Sequence, residues 1–390
     1  MDLDITPEEA HFRDEVRTWL AENVPREERP RFGEEARAFD LAWQRRQHEG
    51  GWAGVSWPKE YGGGGLSLIQ QLIWHEEYAR AGAPWIGSCF VGINHAGPTL
   101  ITCGTEEQKA FHLPRILRGE VVWCQGFSEP GAGSDLASLQ MRADRDGDEL
   151  VVTGQKIWTS FADVAEYQEL LVRTSSEGAK QAGITWVICD MRSPGVEIRP
   201  IRTMDGGADF CEVFYKEVRI PVSSVVGSID DGWRVAMSTL GFERGTAFTA
   251  EQVAVARDVE RLIALARETP AASGRGSAYE DEEIARRLAT LRAEVAAMRA
   301  MTLAAVSRGR RQPVPGPEGS MLKIYLADVR QRMQRLAMDV LGPAGLRLEG
   351  GDEDWVRSYL RAYASTIAGG TSEIQRNIVG ERLLGLPKHR

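Results

Sequence analysis

Apolar residues recur every three or four positions through much of the first third of the chain, which is the spacing of amphipathic helices. Segment 8–23 carries such a stripe at Phe12, Val16, Trp19 and Leu20. The same period predicts helices over 34–49 and 68–81, and Thr105 is a suitable first residue for another helix. We therefore predict a helical domain over residues 1–120.

From Val121 the pattern changes to short runs that are rich in branched and aromatic residues. Turn signals such as the Asp-Gly-Asp at 146–148 separate these runs, as expected for strands. The predicted strands are 150–153, 169–173, 184–190, 196–201 and 212–218. Residues 121–231 are therefore predicted to form an antiparallel β domain.

After Gly232 the helical period returns and continues to the end of the chain. Two apolar stripes stand out, one at Ile284, Leu288, Leu291, Val295, Met298 and Thr302 and the other at Leu322, Tyr325, Val329, Met333, Leu336 and Val340. They predict two helices packed in a core, with a Pro- and Gly-rich break at 312–319. Residues 232–390 are thus a second helical domain, and the fold class is α+β.

Composition narrows the functional classes. The net charge of -9 disfavours nucleic acid and membrane surfaces as partners, because both would repel the chain. Five cysteines occur without a Cys-x-x-Cys pair and predict reduced thiols in a cytoplasmic protein. Neither a membrane-spanning run nor a metal-binding motif is found in the sequence, so we expect no metal site.

Candidate chemistry is concentrated in the segment 125–135, Gln-Gly-Phe-Ser-Glu-Pro-Gly-Ala-Gly-Ser-Asp. Its glycines and hydroxyls allow backbone N–H groups and side chains to turn toward one polar ligand. The alternative is an ordinary surface loop, since these are also the common turn residues.

Two further blocks favour the ligand-binding interpretation: Lys-Ile-Trp-Thr-Ser at 156–160 and Ile-Ala-Gly-Gly-Thr-Ser-Glu-Ile-Gln-Arg at 367–376. In this order and spacing the three blocks resemble the acyl-CoA dehydrogenase family of flavoproteins. The resemblance extends from the Trp-Ala-Gly-Val-Ser-Trp-Pro that starts at Trp52 to the Glu-Arg-Leu-Leu-Gly-Leu-Pro that ends at Pro387. It implies an N-terminal helical domain, a middle β domain and a C-terminal four-helix bundle.

The resemblance also implies an FAD site between the β domain and the bundle. Phe127 and Ser128 correspond to residues along the pyrimidine side of the flavin, and Ser134 to one that reaches the pyrophosphate. Residues that cover the other side of the ring correspond to Trp158, Thr159 and Ser160. The remaining implied cofactor residues are Gln125, Gly133, Asp339, Gly342, Thr371 and Glu373, the last two near the adenine-side phosphates. Segment 267–276 departs from the family because it lacks the aromatic residue of an Arg-x-x-Phe-Gly stretch.

Members of the family take the substrate's α-proton with a glutamate. Most carry it at the position of Gly369, whereas the isovaleryl-CoA and long-chain types carry it in a Glu-Arg pair, which here is Glu243-Arg244. Glu243 is therefore predicted to be the base, with Arg244 beside the bound CoA or as a charge at the helix end. The alternative is that Glu243 is an ordinary solvated or Arg-paired residue. The resemblance implies that a backbone N–H at the position of Gly369 and a ribityl hydroxyl of FAD polarise the thioester carbonyl, and glycine keeps that N–H. Gly370 is also implied to be a substrate residue.

The predicted function is FAD-dependent α,β-dehydrogenation of an acyl-CoA, with electrons passing to an electron-transfer flavoprotein or a similar acceptor. The small residues Ala368 and Gly369 suggest a branched, cyclic or sterol-derived acyl group. A homotetramer is expected, with a hetero-oligomer as the alternative. Two rival functions stay open: an acyl-CoA oxidase or flavin monooxygenase on the same fold, and a non-catalytic partner subunit of a hetero-oligomeric dehydrogenase.

Overall fold

A computed structural model shows the chain running as helices, then one sheet, then helices, which confirms the predicted α+β order. It describes residues 6–243, 247–309, 318–348 and 353–388, with the backbone alone at 242–243, 247–248, 309 and 353. The domain boundaries after residues 120 and 231 stay predictions.

The helices of the first region are α1 Pro7–Asn23, α2 Gly33–Glu49, α3 Leu68–Arg80, α4 Gly97–Cys103 and α5 Glu106–Leu117, and a π-helical turn, Gly92–Ala96, leads into α4. Three of these helices, α1, α3 and α5, have a hydroxyl-bearing residue as their N-cap. Thr6, Ser67 and Thr105 each accept the backbone N–H three residues further on. The predicted helix start at Thr105 is confirmed, and the stripe of α1 buries Val16 and Leu20 completely.

The strands of the middle region are β1 Trp123–Gly126, β2 Arg142–Asp146, β3 Glu149–Ser160, β4 Tyr167–Arg173, β5 Ile184–Asp190, β6 Val196–Ile201 and β7 Phe210–Pro221. They form one sheet in the order β1-β4-β2-β3-β7-β6, with β5 beside β4. Strand β4 runs parallel to β1 and β2, and the other pairs are antiparallel. The prediction of a purely antiparallel domain is corrected to a mixed sheet. The chain between β1 and β4 contains the whole β2–β3 hairpin, which is long enough for a parallel return.

Two of these strands, β1 and β2, were not predicted. Strand β2 reads Arg-Ala-Asp-Arg-Asp and buries only Ala143, so it lacks the apolar alternation that marks a strand. Strand β1 is only four residues long and enters directly into the 125–135 loop. Short or largely exposed strands leave little trace in the apolar pattern.

The helices of the last region are α6 Gly232–Glu243, α7 Ala247–Glu268, α8 Glu282–Gly309, α9 Glu318–Leu341, α10 Glu353–Ala362 and α11 Ser372–Ile378. Helices α7 to α10 pack together as the bundle around a shared apolar core. The stripes of α8 and α9 form this core, for example through Leu288 and Leu336. Of the predicted break at 312–319, residues 312–317 lie outside the described residues.

A second core joins the first helical region to the sheet and to α6. It includes Trp57, Trp123, Phe127 and Trp186. Deep in this interface the hydroxyl oxygens of Thr99 on α4 and Thr239 on α6 lie 2.8 Å apart, and both residues are fully buried. Helix α6 is therefore fixed against α4 one helical turn before Glu243.

Every helix within the described residues is too short or too polar to cross a lipid bilayer. Across the same residues, His, Cys, Asp and Glu side chains form no group of three or more that could hold a metal ion.

Candidate active site

The 125–135 loop leaves strand β1 and turns back on itself at once. Glu129 and Ala132 exchange backbone hydrogen bonds of 3.1 and 3.0 Å, which closes a tight turn around Pro130 and Gly131. The side chain of Phe127 is buried in the interdomain core, and its carbonyl oxygen accepts from Lys156. The loop is thus a built feature of the fold.

Lys156 on β3 anchors this loop from the buried side of the sheet. Its Nζ atom is fully buried and donates to the carbonyl oxygen of Phe127 at 3.1 Å and to Glu129 Oε1 at 2.8 Å. The Glu129 carboxylate also accepts the backbone N–H groups of Gln140 and Met141. Burial lowers the pKa of Lys156 to about 8, and the charge of Glu129 opposes part of this shift.

Neither Lys156 nor Glu129 was predicted as a site residue. A signal for Lys156 exists in the sequence, because the alternation of Leu150 and Val152 on the buried face of β3 continues to position 156. A lysine at an inward-facing position of a strand requires a partner. The partner itself lies 27 residues away and carries no such signal.

The outer half of the loop faces open space. A Cβ atom added at Gly131 or Gly133 would meet no atom within 4 Å, and Ser134 is exposed. Backbone N–H groups with no side chain around them allow a phosphate to approach closely. This half of the loop therefore fits the pyrophosphate of a dinucleotide.

Trp158 stands out on β3 because its backbone has a left-handed φ of 61°. The pairing of β3 with β7 shifts register between Lys156 and Thr159, so Trp158 lies on a β-bulge. Its side chain is 55% exposed and its ring meets Phe210 edge-on, with 6.1 Å between centroids. A strained backbone that holds a large aromatic ring open is typical of ligand-binding positions.

The next residue, Thr159, is fully buried, and its Oγ1 atom has no hydrogen-bond partner within the described residues. Ser160 beside it is half-buried. A buried hydroxyl that lacks a partner is costly, so a ligand group at this end of β3 would satisfy it. Trp158, Thr159 and Ser160 therefore offer an aromatic surface and hydroxyls, which fit a flavin ring.

Gln125 is engaged in a buried cluster. Its Nε2 atom donates to Glu169 Oε1 at 2.6 Å and lies 3.2 Å from Nδ1 of His95. His95 comes from the π-helical turn and Glu169 from β4, and both are buried. The amide nitrogen of Gln125 thus contacts protein groups, and sequence reasoning did not predict His95 or Glu169.

The 369–370 loop has its carbonyl groups held by two side chains. Gly369 and Gly370 have left-handed φ values of 64° and 85°. The carbonyl oxygen of Gly369 accepts from Gln375 Nε2 at 2.8 Å, and that of Gly370 from Lys323 Nζ at 2.7 Å. Both donors are buried, so the orientation of these peptide groups is fixed.

A cavity of about 450 Å³ lies beside this loop. Ala368 and Gly369 line it together with Phe90 of the first helical region and Phe210 of β7, and faces of α7, α9 and α10 complete its wall. Since Phe210 also touches Trp158, the cavity joins the predicted flavin surface to the predicted substrate loop. Three parts of the chain that are distant in sequence meet here.

Thr371 and Glu373 line a second cavity of about 850 Å³ between α9 and the C-terminal segment. Thr371 caps α11 by accepting the N–H of Ile374, and Glu373 is exposed. Hydrogen bonds from its own backbone N–H and from Thr371 lower the pKa of Glu373. A carboxylate at a helix start is favourable, although it would repel a phosphate placed directly beside it.

The predicted base lies only partly within the described residues. Glu243 is the last residue of α6, one helical turn after the buried Thr239, and nothing is described of its side chain. Arg244 lies outside the described residues.

Asp339 and Gly342 are not brought to the cavity beside Gly369. Asp339 accepts from Arg287 of α8 at 2.6 Å. Gln334 is the last residue of α9 that lines the cavity, and Asp339 lies five residues beyond it toward the end of the helix. Gly342 follows the same helix end, with a φ of 54° and open space where a Cβ would point.

Models of all three acyl-CoA dehydrogenase domains match the chain: the N-terminal domain over residues 6–120, the middle domain over 124–218 and the C-terminal domain over 230–384. The chain belongs to the acyl-CoA dehydrogenase family. The predicted family and its three-part fold are therefore confirmed.

Relatives within the family extend over nearly the full chain. The chain is 42% identical to the acyl-CoA dehydrogenase IpdE1 of Mycobacterium tuberculosis, and the match covers 97% of both proteins. It is 35% identical to the acyl-CoA dehydrogenase FadE26 of the same organism over 100% of this chain and 99% of that protein. The protein is thus an acyl-CoA dehydrogenase.

Solved structures of such dehydrogenases have the same fold. The Tcur3481-Tcur3483 steroid ACAD superimposes with a TM-score of 0.86 at 34% identity, and the ChsE4-ChsE5 complex from Mycobacterium tuberculosis with 0.84 at 35% identity. Each match covers 100% of both chains.

Proposed function

We propose that this acyl-CoA dehydrogenase binds FAD and introduces an α,β double bond into an acyl-CoA thioester. The cavity beside Gly369 is the observation that carries the proposal. It adjoins the exposed face of Trp158 through Phe210 and the fixed 369–370 loop, so a flavin and a thioester placed there would face each other. Bound FAD would supply the electron acceptor, taking the β-hydrogen with both electrons of the broken bond.

The cofactor would be held by three features of the chain. The open glycines of the 125–135 loop suit its pyrophosphate, Trp158 suits the face of its ring, and the partnerless hydroxyl of Thr159 suits a polar ring atom. The Lys156–Glu129 pair would keep the loop in place.

Glu243 is the proposed general base. Position 369 has no side chain, so the carboxylate must come from another element. The Thr99–Thr239 contact holds the backbone of α6 against α4 one turn before Glu243. The helix that carries the proposed base is therefore anchored to the first helical region, and such a preorganised backbone favours proton transfer.

The thioester carbonyl would be polarised by the 369–370 loop. Gln375 and Lys323 hold the carbonyl oxygens of Gly369 and Gly370. Because a peptide group is planar, this orients the N–H groups of Gly370 and Thr371 and holds in place the loop that carries the Gly369 N–H. Preorganised donors of this kind stabilise the enolate-like charge that develops as the α-proton leaves.

We further propose that the functional unit contains more than one chain. Asp339 is paired with Arg287, and neither Asp339 nor Gly342 lines the cavity beside Gly369, so we take them to serve a cofactor of a neighbouring subunit. A hetero-oligomer with a related chain is favoured by the missing aromatic in segment 267–276 and by the similarity to the ChsE4-ChsE5 complex, which contains two different chains. Five free cysteines, four of them buried, support the predicted cytoplasmic location.

The test is anaerobic mixing of the purified yellow protein with a panel of acyl-CoA thioesters. Bleaching of the flavin absorbance by at least one thioester, followed by slow reoxidation in air and fast reoxidation by electron-transfer flavoprotein, is the expected result. Fast reoxidation by air would indicate an oxidase. A protein that acquires FAD only after mixing with a second chain would indicate the partner-subunit function.

A further inference from the structure

The cavity beside Gly369 has a polar region far from the thioester position. Along α9, Lys323, Arg330 and Gln334 all line the cavity. Lys323 marks the thioester end, because it holds the carbonyl of Gly370. Arg330 and Gln334 follow by 7 and 11 residues, which places them roughly 10 and 16 Å further along the helix. Only the far end of a long or ring-bearing acyl group reaches this region.

Gln334 is a buried amide with an unused acceptor. The residue is 5% exposed, and its Oε1 atom has no hydrogen-bond partner within the described residues. An amide in this position costs stability unless something bonds to it. Leucine or methionine would fill the same space without that cost, so the amide at position 334 is suited to binding a polar group.

Glu251 on α7 faces Arg330 across the same region, with 3.0 Å between Arg330 Nη2 and Glu251 Oε2. The two charges cancel, and their side chains are 46% and 28% exposed. Together with Gln334 the pair offers hydrogen-bond donors and acceptors without a net charge.

The other charged groups of the cavity wall have separate partners. Lys323 donates to Gly370, and Asp258 pairs with Arg261 at 3.2 Å. Arg361 lies 3.4 Å from Asp209 and stacks over Phe210. The polar region available to a ligand is therefore Glu251, Arg330 and Gln334.

We propose that these three residues bind an uncharged oxygen group, a hydroxyl or a ketone, at the far end of the acyl chain or ring system. This inference rests on the proposed function, since it takes the thioester to lie at Gly369. A ketone would accept from Arg330 or the Gln334 amide, and a hydroxyl would also donate to Glu251 or Gln334 Oε1. A carboxylate is disfavoured because Glu251 would repel it.

The test compares four CoA thioesters of one skeleton: decanoyl-CoA and its analogues with a ketone, a hydroxyl or a carboxylate at the far end. Dissociation constants are measured by calorimetry on the FAD-loaded protein in its native assembly, which requires no turnover. The hydroxyl analogue should bind about tenfold or more tightly than decanoyl-CoA, because its O–H can donate to the unused Oε1 of Gln334. The ketone analogue can only accept, from Arg330 or from the Gln334 amide N–H, and should bind more tightly than decanoyl-CoA by a smaller factor. This preference should fall to about twofold or less in Gln334→Leu and Arg330→Met.

Gln331→Leu is the matched control, because Gln331 lies on the same helix and bonds to Ala362 and Thr366 instead. It should keep the wild-type preference. If Gln334→Leu fails to fold, the inference is decided by Arg330→Met and by the ratio of the dissociation constants of decanoyl-CoA and its uncharged analogues in the wild-type protein. Four results would overturn the inference. The uncharged analogues could bind no more tightly than decanoyl-CoA, or the carboxylate analogue could bind most tightly. The preference could survive both substitutions, or the protein could bind none of the thioesters. A preference that behaves as expected without flavin bleaching would contradict the proposed function alone.

Discussion

Lys156 and Glu129 form a buried ion pair, 2.8 Å between Nζ and Oε1, that ties strand β3 to the loop predicted to hold the cofactor. Replacing one partner leaves the other charge buried without compensation. In Lys156→Met we expect the free energy of unfolding to fall by about 3 kcal/mol and FAD to dissociate more readily. Denaturant unfolding and FAD release on dilution measure the two effects.

Lys180→Met is the control for this prediction. Lys180 pairs with Asp135 of the same loop, also at 2.8 Å, but both side chains are more than half exposed. Its loss should cost less than about 1 kcal/mol. Equal effects of the two substitutions would contradict an anchoring role for Lys156.

The same lysine gives a pH dependence with a definite sign. Burial lowers its pKa from 10.5 to about 8, so between these values the unfolded chain holds the proton and the folded chain does not. The penalty for burying the charge is thus present below pH 8 and disappears as the pH rises to 10.5. The stability of wild type relative to Lys156→Met should therefore rise across this window, by up to about 3 kcal/mol. Denaturant unfolding of both proteins at each end of the window tests this, and a fall would contradict it.

Periodicity in the sequence predicted the elements that have a buried face. The bounds of β5 match the prediction because six of its seven residues are buried and turn residues flank the strand. Strand β2 was missed because it is almost entirely exposed. The family resemblance predicted that segment 125–135 holds the cofactor and that Gly369 stands where most members carry the catalytic glutamate.

Neither periodicity nor motif supplied the polar pairs that fix the site. His95 and Glu169 are 74 positions apart, and Lys323 and Gly370 are 47 apart. Their contacts depend on how helices and sheet pack together. The periodicity of residues within one helix or strand does not predict which charged side chain of another element will contact it.

Trp158 is expected to lower stability and to favour cofactor binding. An L-residue with left-handed φ costs roughly 1–2 kcal/mol, which glycine does not incur. In Trp158→Gly the relief of backbone strain offsets the lost side-chain contacts, so the free energy of unfolding should fall by at most about 1 kcal/mol. The same variant should bind FAD about tenfold more weakly because the aromatic surface is lost. Trp158→Phe should retain most of the affinity. Fluorescence titration of the refolded apoprotein with FAD checks this, and unchanged affinity in the glycine variant would exclude contact with the ring.

Gln375 is expected to act on catalysis through the orientation of the Gly369 peptide. Gln375→Leu removes its donor to the Gly369 carbonyl and should slow flavin reduction by roughly tenfold to a hundredfold, because the oxyanion donors lose their alignment. FAD content and acyl-CoA affinity should change little. Asn377→Ala, an exposed position on the same helix, is the control. A variant that loses thioester affinity but reduces its flavin at the normal rate once saturated would contradict this role.

The most direct test of the mechanism is the rate of anaerobic flavin reduction in Glu243→Gln under single-turnover conditions with a saturating good substrate. Glutamine keeps the size of the side chain but cannot accept the α-proton, so the rate should fall roughly 100- to 10,000-fold while FAD content and acyl-CoA binding stay near wild type. Glu268→Gln, an exposed glutamate at the end of α7, should reduce its flavin normally. Reduction of Glu243→Gln at the wild-type rate would show that the base is a different residue.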